Sequence, residues 1–255
     1  MIRRFFGAVA AELKSFRTQL ALYPVVVFLV AGVALWAYDG YGSSEFFYAT
    51  IAPHLGLSQA NQELCSYLYW FYAAFVLLLA FPMAAHRIAR RFDPAHAAPT
   101  LGWTLGDRAI GKPITILFLS VMLPIVAVCA LLPSFQSYYP IYTMADRSWT
   151  IFLLYEASYA IYFLAWDWFF RGFLTLGLEK QLGVWAIFVQ MLPFLYAHLG
   201  KPGLESLSSI AGAIALGWLA WRTRSAWYGV MVHAVTAVSL DLFVVGYRHL
   251  GWVHG

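Results

Sequence analysis

The chain has 255 residues, of which 62% are apolar and only 11% charged, and its mean hydropathy is +0.69. Soluble domains of this size are nearer half apolar and one quarter charged, so a single water-soluble core cannot hide the excess. Disorder, a coiled coil and a secreted disulfide scaffold are excluded, and a net charge of +4 is too small to argue for nucleic acid as a partner. What remains is an all-α, polytopic transmembrane helix bundle. Cys65 and Cys129 both lie in apolar runs, so neither a disulfide nor a thiolate metal cluster is expected.

Residues 1–17 carry Arg3, Arg4, Glu12 and Lys14, which suits a short amphipathic helix on the cytoplasmic face better than a signal-peptide core. Residues 18–255 read as one transmembrane domain. A crossing helix needs about 20 mostly apolar residues. Candidate spans cover 18–38, 64–85 and 113–132, then a fourth from Trp149, a fifth over 184–199, a sixth over 207–221 and a seventh over 226–247. Basic residues cluster before the first span, between the second and third, and in the Arg222-Thr223-Arg224 turn, whereas 39–63 has none. The positive-inside rule therefore puts the N-terminus in the cytoplasm and the C-terminus outside. Ser209, Ala213 and Gly217 form a row of small residues that would let another helix approach closely.

Ionisable side chains inside a bilayer are costly, so each is a functional candidate. They are Glu156, Asp167, Arg171, His198, His233 and Asp241. Singly, each has a plain structural explanation: Asp167 and Arg171, four apart on one helix, can neutralise each other, and a lone histidine can bond a carbonyl. Their arrangement points further. Spans four and five form a hairpin turning near Gly183, with Asp167 16 residues before it and His198 15 after. At about 1.5 Å rise per residue, the two reach similar depth. Glu156 lies 27 residues before the turn and would project past the end of the fifth span, which selects Asp167 as the partner of His198 and turns Glu156 away. His233 falls mid-membrane on the seventh span, with Asp241 eight residues further on roughly the same face. A carboxylate and two histidines in one cavity suit a general base, a water and an oxyanion donor. Asp167, His198 and His233 could equally hold a divalent metal such as zinc. The sequence has no HExxH helix, GxSxG elbow or glycine-rich phosphate loop.

The segment Trp166-Asp167-Trp168-Phe169-Phe170-Arg171-Gly172-Phe173-Leu174 resembles the first motif of the CPBP family, the CAAX-processing and bacteriocin-processing intramembrane proteases also called Abi proteins. That motif reads Glu-Glu-x-x-x-Arg and usually continues Phe-Arg-Gly. Phe194-Leu195-Tyr196-Ala197-His198 is similar to the second motif, Phe-x-x-x-His, and continues as Leu199-Gly200-Lys201-Pro202. The third begins at His233 within Gly229-Val230-Met231-Val232-His233, and Leu101-Gly102-Trp103-Thr104-Leu105-Gly106-Asp107 resembles the linker these proteins carry before a transmembrane helix. The likeness covers about residues 101–243. Two positions depart from it: Trp166 stands where the first Glu would be, and Ala237 where the Asn of His-x-x-x-Asn would be.

The resemblance implies an intramembrane endopeptidase of a bacterial inner membrane, cleaving a membrane-embedded or lipid-linked protein terminus or a C-terminal sorting anchor. In that reading Asp167 deprotonates a water held against His198 and His233 stabilises the oxyanion. Arg171, Phe194 and Asp241 support them, and no cofactor is required. The alternative is the same scaffold without catalysis, binding a membrane peptide or serving in immunity. Transport ranks below both, because no broken-helix pair or repeat symmetry is visible. Compartment-sensitive reporters placed in the 39–63 loop and after Gly255 should both report the external side. A cytoplasmic signal after Gly255 would remove one span, and the fifth is the weakest, its uncharged run of 181–197 lying near the lower length limit.

Overall fold

The structure, a computed structural model, describes Phe5, Phe6, Val9, Glu12 and residues 21–253. Apart from those first four residues, the expected amphipathic helix over 1–17 and the boundary that follows it lie outside the described residues. In an apolar medium each backbone N–H and C=O must be satisfied within its own segment, so the long uncharged runs fold as helices. Numbered in chain order, the principal helices are α1 (Leu22–Tyr41), α2 (Gln59–Phe92), α3 (Arg108–Cys129), α4 (149–182), α5 (Trp185–Tyr196), α6 (Gly203–Thr223) and α7 (Trp227–His249). Five of them, α1, α2, α3, α6 and α7, are long and apolar enough to cross a membrane.

Helix α4 is the centre of the bundle, in contact with α2, α5, α6 and α7. It begins at Trp149, where the Ser148 hydroxyl accepts from the Ile151 N–H. It then widens into a π-wound stretch over Trp168–Leu176 and closes as α-helix over Gly177–Leu182. Every residue of the π stretch is buried. Gly172 is required there, because a Cβ would come within 2.4 Å of the Leu101 carbonyl oxygen. The 101–107 linker thus lies directly on α4. It is also fastened to the α6–α7 turn: the Ala226 N–H donates to the Gly102 carbonyl (3.0 Å) and the Asp107 N–H to the Thr223 carbonyl (2.9 Å). Asp107 then caps α3 by accepting from the Ile110 N–H.

Basic residues close to the helix termini are paired with polar or acidic neighbours. Arg147, Lys201 and Arg248 lie near one end, paired with Asn61, Glu205 and Gln136. At the other end Arg222 pairs with Asp107 and Arg224 with Glu179. The row Ser209, Ala213, Gly217 receives α5: Gln190 Nε2 donates to the Ala213 carbonyl (2.8 Å), and a Cβ on Gly217 would meet the same nitrogen at 2.9 Å.

Several boundaries differ from expectation, with α1 running to Tyr41, α2 beginning at Gln59, α3 at Arg108 and α6 at Gly203. Two further differences have a visible cause. Helix α2 runs past the expected 64–85 because its polar continuation His86–Arg91 keeps helical winding with one face buried. Helix α5 is shorter than the expected 184–199, ending at Tyr196. Pro193 lies in its last turn and removes a backbone donor. Gly200 at φ +91° and Pro202 then redirect the chain into α6. His198 consequently sits in the turn after α5, not on the helix itself.

Beyond α2, the Asp93 carboxylate accepts from the Tyr23 N–H (2.9 Å) and pairs with His96 (2.7 Å). The Tyr23 N–H holds this carboxyl below the usual carboxylate range. A depressed folded-state pKa stabilises above the unfolded value of about 3.9, and that stabilisation is lost as pH falls through the folded value. Thermal melts of detergent-solubilised protein should show an acid-dependent component below about pH 4 that Asp93→Asn lacks. Equal acid slopes for the two proteins would remove this contribution.

Candidate intramembrane site

The last α-helical residue of α4 before its π winding is Asp167, and neither it nor Arg171 has any exposed side-chain surface. Arg171 Nε lies 3.2 Å from Asp167 Oδ1, an ion pair along one helix. The other oxygen faces α7, where His233 Nδ1–H donates to Asp167 Oδ2 at 2.9 Å. Gly229, one turn before His233, lies beside the pair, where a Cβ would stand at ordinary contact distance from Asp167 Oδ1 (3.5 Å) and Arg171 Cγ (3.6 Å). The His233 side chain keeps 18% of its surface exposed, so its far edge opens outward from an otherwise sealed pair.

The guanidinium nitrogens of Arg171 have no hydrogen-bond partner. Aromatic faces take that place: Arg171 Cζ is 4.3 Å from the centroid of Phe194 and 5.8 Å from that of Phe170, a desolvated cation–π arrangement. The opposite neighbour of Phe194 is His198, with ring centroids 4.4 Å apart. His198 Nδ1–H donates to the Phe194 carbonyl at 2.8 Å, which leaves Nε2 with its lone pair. The two imidazoles face each other with centroids 6.4 Å apart and planes 23° from parallel.

Four of the residues singled out by sequence, Asp167, Arg171, His198 and His233, are therefore brought together around Phe194. Asp167 hydrogen-bonds directly to His233, and His198 joins the cluster through Phe194. It is Trp166, one residue earlier on α4, whose indole lies against His198 (6.5 Å) and Phe194 (6.2 Å). Ala237, a turn beyond His233, packs against the apolar core. Glu156 and Asp241 stand apart from this cluster and face each other across α4 and α7. Sequence reasoning kept Asp241 as a supporting residue but did not join it to Glu156. The signal was present, since counting outward from Asp167 on α4 and from His233 on antiparallel α7 brings both carboxyls toward one level.

A metal would require three such side chains converging on one point. Among the described residues, no group of three His, Cys, Asp or Glu is so arranged, and Asp167 and His233 bond to each other directly.

Residues 147–239 match the family model of type II CAAX prenyl endopeptidase Rce1-like proteins. The match is less than half of the chain but includes α4, α5, α6 and the part of α7 that carries His233. The 101–107 linker, which the sequence likeness also covers, lies outside it. No curated protein and no solved structure matches the chain significantly. The chain is thus similar to a membrane protease family over the segment that builds the site.

Arg171→Ala should lower the amount of folded protein in the membrane. It removes the cation beside a fully buried carboxylate, a class of change that costs about 3–5 kcal/mol. Arg171→Lys should not restore abundance, because an ammonium lacks the flat face presented to Phe194. Quantifying membrane-inserted, trypsin-resistant protein tests both, and normal abundance of Arg171→Ala would contradict the pairing.

Proposed function

We propose that this protein is an intramembrane endopeptidase that hydrolyses a peptide bond near a membrane-embedded or lipid-linked protein terminus. In this reading α4 and α5 also lie in the bilayer, giving seven spans with the N-terminus cytoplasmic. The observation that carries the proposal is the Asp167–His233 hydrogen bond, with His198 facing the same imidazole, inside the segment similar to Rce1-like endopeptidases. Asp167 has one oxygen bonded to His233 and the other beside Arg171, so the mobile proton is assigned to a histidine. Asp167 fixes the His233 tautomer and stabilises the imidazolium, as buried carboxylates do behind histidine bases. A water between the two rings gives one hydrogen to His233 Nε2 and is held through the other by His198 Nε2. Its oxygen adds to the scissile carbonyl, and the imidazolium returns the proton to the leaving amine. Asp167, His198 and His233 are thus the catalytic group. Arg171 and Phe194 are positioning residues.

The alternative, a peptide-binding scaffold without catalysis, is favoured by one observation. Trp166 stands where the resembled family has its first Glu, and its indole lies against His198. Processing of a co-expressed membrane substrate, normalised to protein in the membrane, separates the readings. Asp167→Asn and His233→Ala should each reduce processing by about 10²–10⁴, and the double variant should be little worse than either, because groups acting as one unit are not additive. Trp166→Ala should change abundance before it changes rate. Full processing by Asp167→Asn at normal abundance would overturn the catalytic assignment. A cellular phenotype that survives Asp167→Asn and His198→Ala would establish the binding scaffold.

A further inference from the structure

Helices α4 and α7 meet a second time, away from the Asp167–His233 bond. Glu156 of α4 and Asp241 of α7 turn their carboxyl groups toward each other. Asp241 has no exposed surface, Glu156 has 6%, and none of the four oxygens has a hydrogen-bond partner. The charged and titratable groups around the pair are Lys201, Glu205, Arg248, Tyr139, Tyr155 and Tyr159. Neither cation is free to neutralise it. Lys201 is held by Glu205 at 2.8 Å, and Arg248 by Gln136 Oε1 at 2.9 Å and by the backbone carbonyls of Gln136 and Tyr139.

Two bare carboxylates in apolar surroundings repel one another unscreened, and each has lost its water. Neither can donate, so no hydrogen bond joins them. A single proton removes one charge and converts the contact into an O–H···O⁻ bond, among the strong, short hydrogen bonds. No third His, Cys, Asp or Glu joins the pair to complete a metal site among the described residues. We propose that Glu156 and Asp241 form an intramembrane proton-binding site, one proton shared between the two carboxyl groups, which latches α4 to α7.

The latch has a definite relation to the site described above, although it does not depend on the protease reading. Glu156 precedes Asp167 by eleven residues, about three turns of α-helix, so both project from similar sides of α4. Asp241 follows His233 by eight residues on α7. The shared proton therefore holds together the two helices that carry Asp167 and His233. Its release places two like charges in the same interface and drives those helices apart.

Infrared hydrogen/deuterium difference spectra of the full-length protein in detergent at neutral pH test the proposal. The wild type should show a protonated-carboxyl C=O band above the amide I envelope, and Glu156→Gln and Asp241→Asn should each lose it, because an amide N–H takes over the bridging role. Melting temperature should fall with rising pH in the wild type, since the folded state keeps a proton that the unfolded chain has released. In Glu156→Gln that slope should be absent and the neutral-pH melting temperature unchanged. A band that persists in both single variants would overturn the sharing of one proton. So would a wild-type melting temperature raised by sodium, magnesium or calcium, or lowered by a chelator at fixed pH, which would make the occupant a metal ion. If one single variant does not fold, the band in the other still decides the matter.

Discussion

A carboxylate with no access to water has to find its counter-charge and hydrogen-bond donors among its neighbours, and at Asp167 that requirement organises the middle of the bundle. Arg171 satisfies it along α4 and His233 across to α7. The arginine, itself without hydrogen-bond partners, must then lie on an aromatic face, which fixes Phe194 and draws α5 in with it. His198 follows, because its ring stacks on Phe194 and bonds the same residue's carbonyl. Glycine enters where backbone has to come close, at Gly172 beneath the 101–107 linker. A few placements thus propagate from one buried ion pair to three helices.

Much of this was legible in the sequence, and the part that was not has a physical reason. Hydropathy located every principal helix, because a segment without charge in a membrane has little choice of conformation. Counting from Gly183 placed Asp167 and His198 at one depth, but residue counting fixes depth along a helix and not the direction a side chain takes around it. Adjacent residues on an α-helix point about 100° apart, from 3.6 residues per turn. That difference sends Trp166 toward His198 and Asp167 toward His233. The π winding that begins at Trp168 alters the angular register again, and nothing in composition or spacing announces it. The early end of α5 could have been read from Pro193, Gly200 and Pro202 together, residues that suit a helix end better than its continuation.

The α4–α7 interface carries two ionisable contacts of opposite character. Asp167–His233 joins an acceptor to a donor and needs nothing added. Glu156–Asp241 joins two acceptors and is incomplete without a proton. Tyrosines continue α4 between these levels, with Tyr159 and Tyr162 stacked 6.1 Å apart at 16°. Such side chains combine an apolar body with a polar tip, so the interface stays packed while changing from a charge pair at one level to an acid pair at the other.

The brevity of α5 has a consequence for the surrounding lipid. Twelve helical residues rise only about 18 Å, well short of a hydrocarbon layer about 30 Å thick. On the proposed seven-span reading, lipid beside α5 would have to thin locally, or leave a dimple filled by head groups and water, to match so short a segment. The turn that closes this shortfall begins with His198, whose carbonyl accepts from the Ser206 hydroxyl at 2.6 Å. In a seven-span bundle the depression would bring the aqueous phase down toward the imidazole, and a substrate arriving sideways through the bilayer would cross its thinnest barrier beside α5.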